Sequence, residues 1–243
     1  MDFVVFHSAE AADHLACDEL LLGRAESGDG TESLRFWETA APVVVMGIGA
    51  RWRDEVRAEA CRADGVPLLR RCSGGGSVVL ARGCLNYSLV LDTERCRAMR
   101  GIRASYGAIL GRLVAAFGAA GVTLTHEGLS DLAAGGRKIG GSAQKRKRRF
   151  ILHHGTLLYA FDAALLGRCL AGPPRPPDYR AGRAHGDFVA NLDLPAARLR
   201  RIVAAAFDLP AEREPTDLTA ALAGEVAALV AAKYARDEWT FRR

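Results

Sequence analysis

Short β-type runs closed by glycine-rich turns, with a single long amphipathic helix between two such groups, leave little room for any fold but a mixed sheet. Pro67–Arg71, Ser77–Leu80 and Cys84–Leu91 are strand-like and broken by glycines. Ile102, Tyr106, Ile109, Leu110, Leu113, Val114 and Phe117 recur at helical spacing, which predicts a helix over 102–120, stopped by Gly121. Upstream, a strand is expected at Met1–His7 and a helix at Ala11–Ala25. Strands at Ser33–Glu38 and Val43–Gly47 and a helix near Asp54–Asp64 follow. A second β region runs from Val122 to Tyr159, with a tight turn at Gly135-Gly136 and another at the basic run Lys145–Arg149. Helices over about 196–207 and 217–234 follow. Hairpins mixed with helices give an α+β fold, with mixed, largely antiparallel sheets flanked by helices and no strict β-α-β alternation.

Bulk properties exclude several classes. With 49% hydrophobic and 25% charged residues over 243 positions, a sizeable core needs no covalent staples. No apolar run approaches the roughly 20 residues that cross a bilayer. The start Met1-Asp2-Phe3 lacks the basic flank of a signal peptide. Six cysteines without a C-x-x-C pair read as reduced thiols, mostly small buried hydrophobes, and argue for the cytoplasm. The net charge of +5 concentrates at Lys145–Arg149 and in the arginine-rich last third. No aromatic stacking platform or DNA-reading motif accompanies it, which speaks against nucleic acid. Gly172–Pro177 cannot continue a helix, and the segment through about Asn191 is expected to be a long loop, functional or disordered.

Three segments carry chemistry. In Arg70-Arg71-Cys72-Ser73-Gly74-Gly75-Gly76-Ser77, three glycines let backbone approach a ligand, and nearby arginines suit an anion such as phosphate. The segment is neither a Walker A loop nor a dinucleotide fingerprint, and a purely structural turn explains it as readily. In Gly136-Arg137-Lys138-Ile139-Gly140-Gly141-Ser142-Ala143, Arg137 and Lys138 must point to opposite faces of a strand. The lysine among small residues has room for a ligand's phosphate oxygens, against the ordinary reading of an exposed hairpin lysine. In His153-His154-Gly155-Thr156-Leu157-Leu158 the adjacent histidines also diverge, so they make a poor metal pair; one reaches a cleft and the other is structural.

In this order, the segments resemble the lipoate–protein ligase A family of the biotin and lipoate ligase superfamily, whose pattern runs R-R-x-S-G-G-G, G-[RK]-K-[IV]-x-G-S-A and H-H-G-T-L-L. Asp18–Leu21, Cys84–Ser88, Ser130–Leu132 and the Lys233–Trp239 segment extend the similarity over nearly the whole chain. The resemblance implies a catalytic-domain fold of that type, one domain over 1–243, and formation of an acyl-adenylate from lipoate or octanoate. ATP and magnesium enter that reaction, and the acyl group passes to a lysine of an acceptor lipoyl domain. It makes Lys138 the catalytic residue that contacts phosphate and acyl carbonyl. Arg71, Ser73, Gly74, Gly75, Gly76 and Ser77 then line the acyl and nucleotide pocket. Asp131, His154 and Thr156 complete the binding set, and no metal ligand is implied. A biotin ligase is a further reading, which the loop fits less well.

Two departures matter. The family's small C-terminal domain has no counterpart after Trp239, which raises a need for a separate accessory subunit or a role in transfer alone. Cys72 stands inside the loop, and related octanoyl and lipoyl transferases work without ATP through a cysteine thioester. In one such branch the cysteine lies shortly before the lysine strand, where this chain has Thr125-His126-Glu127-Gly128. That favours the ATP-dependent reading, with Cys72 as nucleophile and a non-catalytic partner subunit as the alternatives. The basic run would steer an acidic lipoyl domain toward the enzyme. Charge reversal at Lys145–Arg149 is expected to slow acyl transfer to the acceptor while sparing acid activation; an unchanged transfer rate in a stopped-time assay contradicts it.

Overall fold

The computed structural model describes residues 1–172 and 176–242. Its elements in chain order are β1 (Asp2–Val5), α1 (Ala11–Ser27), β2 (Ser33–Trp37), β3 (Val43–Met46), α2 (Trp52–Glu55), α3 (Ala58–Ala63), β4 (Leu68–Arg70), β5 (Val78–Leu80) and β6 (Cys84–Asp92). There follow α4 (Ile102–Ala119), β7 (Thr125–Glu127), β8 (Asp131–Ala134), β9 (Arg137–Arg146), β10 (Phe150–Leu158), α5 (Ala164–Cys169), α6 (His185–Phe188), α7 (Ala196–Ala206), β11 (Thr216–Asp217), α8 (Thr219–Leu229) and α9 (Asp237–Thr240). An eight-stranded sheet runs β11-β1-β2-β6-β10-β9-β8-β7, parallel at β11-β1-β2 and antiparallel beyond; a three-stranded sheet runs β4-β3-β5. The α+β expectation holds.

Side-chain alternation divides the large sheet. Tyr87, Leu89, Leu91, Ile151 and Leu157 face α4 and α7, where Ile109, Leu113, Phe117, Leu199 and Val203 complete one core. The opposite face, with Val90, Leu152 and Leu158, meets α1 and the small sheet. The helix expected near Asp54–Asp64 is two pieces, because Val56 leaves the helix in an extended conformation and bridges Leu170. The last long helix changes at Val230 to a wider π turn, which carries Lys233 and Tyr234 to Glu19 on α1. Gly135 and Gly136, at φ +55° and +72°, close the β8–β9 hairpin in the backbone region that only glycine enters cheaply.

Two expectations change. Beyond Pro173–Arg175, which lie outside the described residues, the segment toward Asn191 is docked: Val189 bridges Lys138, and Ala190 N donates to Lys138 O at 2.8 Å. The basic run is also partly committed. Arg146 donates to the Met99 carbonyl at 2.6 Å and to Ser105, and Arg149 pairs with Asp92 at 2.7 Å. Arg148 is 93% exposed but pairs with Glu26 at 3.8 Å, so among the described residues Lys147 marks where charge reversal leaves the run's side-chain bonds intact. Among the described residues no helix is long and apolar enough to cross a membrane.

Two histidines are sealed into these layers. His153 packs against Tyr87 and Tyr106, and burial pushes it down to about 3; His14, stacked on Trp37 beside Arg35, is lowered to about 4, chiefly by burial. Both are neutral when folded and bind a proton once unfolded, so acid favours the unfolded chain. Stability is expected to fall as pH drops from the ordinary histidine value of 6.5, by at most about 1.4 kcal/mol per histidine per pH unit. Urea unfolding at pH 7, 6 and 5 measures the slope; His153→Gln should make it shallower, and an unchanged slope contradicts the assignment.

Candidate functional site

Between the two sheets lies a cavity of about 410 Å³. Leu15, Trp37, Val45, Val79, Leu80 and Leu158 make one part of its wall apolar. The segment after α5 closes it with Pro177, Arg180, His185, Phe188 and Val189. Size and mixed lining suit a small molecule with an apolar tail and an anionic head.

The glycine loop is shaped from inside by Arg71. Buried to 6% exposure, its guanidinium donates to Ser73 Oγ (2.9 Å), to the carbonyls of Gly74 (2.6 Å) and Gly76 (2.9 Å), and to Val45 O (3.1 Å). Burial pulls the group down to about 10, still cationic at neutral pH. Gly75 takes φ +85°, and a Cβ on Gly47 would sit 1.9 Å from Gly75 O, so two glycines must meet there. Glu55 Oε2 accepts from Ser77 N (2.8 Å) and Ser77 Oγ (2.9 Å), which fixes the loop's exit. Behind the loop, Trp239 Nε1 donates to Arg70 O at 2.7 Å and Arg70 Nε to Thr240 O at 2.9 Å.

Lys138 reaches the same cavity through an irregularity. Leu132 pairs Gly140 but Ala133 pairs Lys138, so β9 carries one extra residue, Ile139, at a bulge. Ile139 is fully buried in the core under α4. A Cβ on Gly141 would lie 2.9 Å from Lys138 Nζ, which places the ammonium on Gly141's face of the strand, against the cavity. The ammonium donates to Asp131 Oδ1 at 2.8 Å, and Tyr179 OH donates to Asp131 Oδ2 at 2.8 Å. Arg137 points away and donates to Val189 O at 2.7 Å.

The two histidines diverge as alternation requires. His154 lines the cavity; its Nε2 lies 2.6 Å from Ser73 Oγ and its Nδ1 3.0 Å from Asp18 Oδ2, while Arg35 holds Asp18 Oδ1 at 2.6 Å. Of the residues singled out in the sequence, Arg71, Gly75, Gly76 and Ser77 come together on this wall with Asp131, Lys138, His154 and Thr156. Ser73 is fully buried behind it, and Gly74 contributes its carbonyl to Arg71. Cys72 turns to the other side, among Leu22, Ala25, Val90, Phe150 and Leu152, and burial pushes its thiol up to about 12. Sequence reasoning missed Arg35, Glu55 and Tyr179, and met Asp18 only within the family resemblance, with no role in the site. Asp18 and Arg35 carried a signal, being lone charges on an otherwise apolar helix face and mid-strand; Tyr179 carried none.

The chain matches the lipoyl protein ligase A/B catalytic domain over residues 10–201. It is 30% identical over 261 residues to the octanoyltransferase LipM of Symbiobacterium thermophilum, covering 95% of this chain and 94% of that one. Two solved structures share the fold. One is a bipartite lipoate protein ligase of Thermoplasma acidophilum, at TM-score 0.80 and 21% identity, covering 98% of this chain and 94% of that one. The other is a lipoate-protein ligase A bound with ATP, at TM-score 0.82 and 22% identity, covering 99% and 98%. With a family match over most of its length and a relative covered almost end to end, the chain belongs to the lipoyl protein ligase A/B catalytic domain family.

Proposed function

We propose that this enzyme activates a lipoyl or octanoyl acid with ATP and passes the acyl group to a lysine of an acceptor lipoyl domain. Where the cysteines lie carries the ATP-dependent form. Among the described residues no thiol lines the cavity. Cys17, Cys61, Cys72, Cys84 and Cys169 are buried elsewhere, and Cys96 is exposed outside the cavity. A thioester route needs a reachable thiolate, whereas burial pushes Cys17 up to about 11 and Cys84 to about 12. Without a thiol to hold the acyl group, activation falls to the nucleotide.

The wall suits both substrates. Its apolar part would take the acyl chain, and Lys138, Arg180 and His185, which line the same cavity, would meet the phosphate. Lys138 stabilises charge gathering on the reacting phosphate and carbonyl oxygens, held ready by Asp131 so that little reorganisation is needed. Gly75 and Gly76 let the backbone come close without side chains in the way. Magnesium would enter with the triphosphate as part of the substrate, one or two carboxylates beside the phosphate oxygens being enough to hold it. A lipoyl-domain acceptor is supported by the T. acidophilum ligase, described with its E2 lipoyl domain, and its bipartite make-up supports a separate accessory subunit here. The free thiols fit a cytoplasmic setting.

The second reading, transfer of octanoyl from a carrier without ATP, is favoured by the octanoyltransferase relative. One assay separates the two. With ATP, magnesium and lipoate or octanoate, the protein should release pyrophosphate and add the acyl mass to a lipoyl domain, and Lys138→Ala should lower both by about 10²- to 10³-fold. Acylation from an octanoyl carrier protein with no pyrophosphate at any acid concentration would sink the ATP-dependent form. Indifference to Lys138→Ala would favour a non-catalytic partner subunit.

A further inference from the structure

The hydrogen bonds around His154 are directed by two charged groups. A guanidinium only donates, so Ser73 Oγ accepts from Arg71 Nε, and it retains a proton and a second lone pair toward His154 Nε2. A carboxylate only accepts, which settles the choice: the neutral ring takes the Ser73 proton at Nε2, and Nδ1–H donates to Asp18 Oδ2. Asp18 receives it as a carboxylate, with Arg35 Nη1 on Oδ1 at 2.6 Å and Ser88 Oγ donating to Oδ2 at 2.8 Å. The group is 1% exposed. Burial pushes its carboxyl upward, but Arg35 and the bonds from His154 and Ser88 outweigh that and leave it below the ordinary carboxylate range.

These residues have the Ser–His–Asp order of a nucleophilic triad, and the geometry excludes that use. Ser73 is fully buried, lies off the cavity wall, and its oxygen is already engaged by Arg71. The relay therefore orients. It links α1 and β2 to the imidazole on the cavity wall, and through Ser73 to the guanidinium that shapes the glycine loop.

We propose that Asp18 is a positioning residue for acyl attachment, its carboxylate fixing His154 as the Nδ1–H tautomer against the cavity and, through Ser73 and Arg71, setting the glycine loop. The proposal rests on the acyl-attachment reading, in either its ATP-dependent or carrier-dependent form. Asp18 is absent from the cavity wall and acts through His154. Supporting groups of this kind hold site residues to their working geometry.

Asp18→Asn tests it with little change of shape. A carboxamide has one acceptor oxygen where the carboxylate offers two, and its NH₂ turned to Nδ1 favours the opposite tautomer. Ring-nitrogen NMR of ¹⁵N-histidine-labelled wild type should show His154 protonated at Nδ1, and Asp18→Asn should move that proton to Nε2 or mix the forms. Acyl transfer to a lipoyl domain, with whichever donor the wild type uses, should fall on the order of 10²-fold in kcat/KM, with a displaced acid limb in the pH profile. An Nε2–H wild type, or a variant that keeps its transfer rate, overturns the proposal. Should Asp18→Asn not fold, Ser73→Ala removes the hydroxyl without touching a charge; a slowed transfer supports the relay and an unchanged one overturns it. Should the wild type transfer nothing from any donor, the acyl-attachment reading falls, and the wild-type tautomer still decides: Nδ1–H supports the relay, Nε2–H overturns it.

Discussion

In β9 a single extra residue breaks the alternation of side chains, and the cavity depends on that break. Without the bulge at Ile139, Lys138 and Gly141 would face opposite sides of the strand, and the ammonium would leave Asp131. With it, Ile139 enters the core under α4 while Lys138 turns to the space between the sheets. The glycine at 141 is part of the same device, since a Cβ there would lie 2.9 Å from Lys138 Nζ and push the ammonium from its place. Strand irregularity, a core residue and a missing side chain together aim one cation.

The opposite wall is aimed by a different means. A loop of consecutive glycines has no conformation of its own, and Arg71 supplies one by donating to its carbonyls from within. Arg71 is then less a ligand contact than a brace, its charge spread over backbone oxygens in a buried setting. The segment that ends at Trp239 holds the preceding residue, Arg70, so strands, loop and chain end are tied at one point. Burial also settles the thiol chemistry. Cys72 follows Arg71 directly, yet the loop leaving β4 turns it into the apolar layer under α1, where a thiolate is unfavourable.

Much of this was legible in the residues. Glycine punctuation and hydrophobic spacing set out the strands, the helix expected over 102–120 and observed at Ile102–Ala119, and the hairpin at Gly135-Gly136, because those signals are local. Alternation also separated Arg137 from Lys138 and His153 from His154. What escaped notice was long-range. Asp18 meets His154 across 136 positions, and Tyr179 meets Asp131 across 48. The bulge left no trace, since one residue more or less in a strand changes no local pattern. The docking of the segment before Asn191 depends on backbone bonds to Lys138 that composition does not encode. The basic run looked uniformly solvated until Asp92 and the Met99 carbonyl claimed two of its arginines.

The convergence of the braced loop and the bulged strand on one ligand is tested most directly by a crystal structure with a non-hydrolysable acyl-adenylate analogue. Its phosphate should lie within hydrogen-bonding distance of Lys138 Nζ and beside Gly75 and Gly76, with the acyl chain toward Trp37 and Val45. An analogue seated outside this cavity, or one whose phosphate leaves Lys138 paired to Asp131 alone, would contradict it.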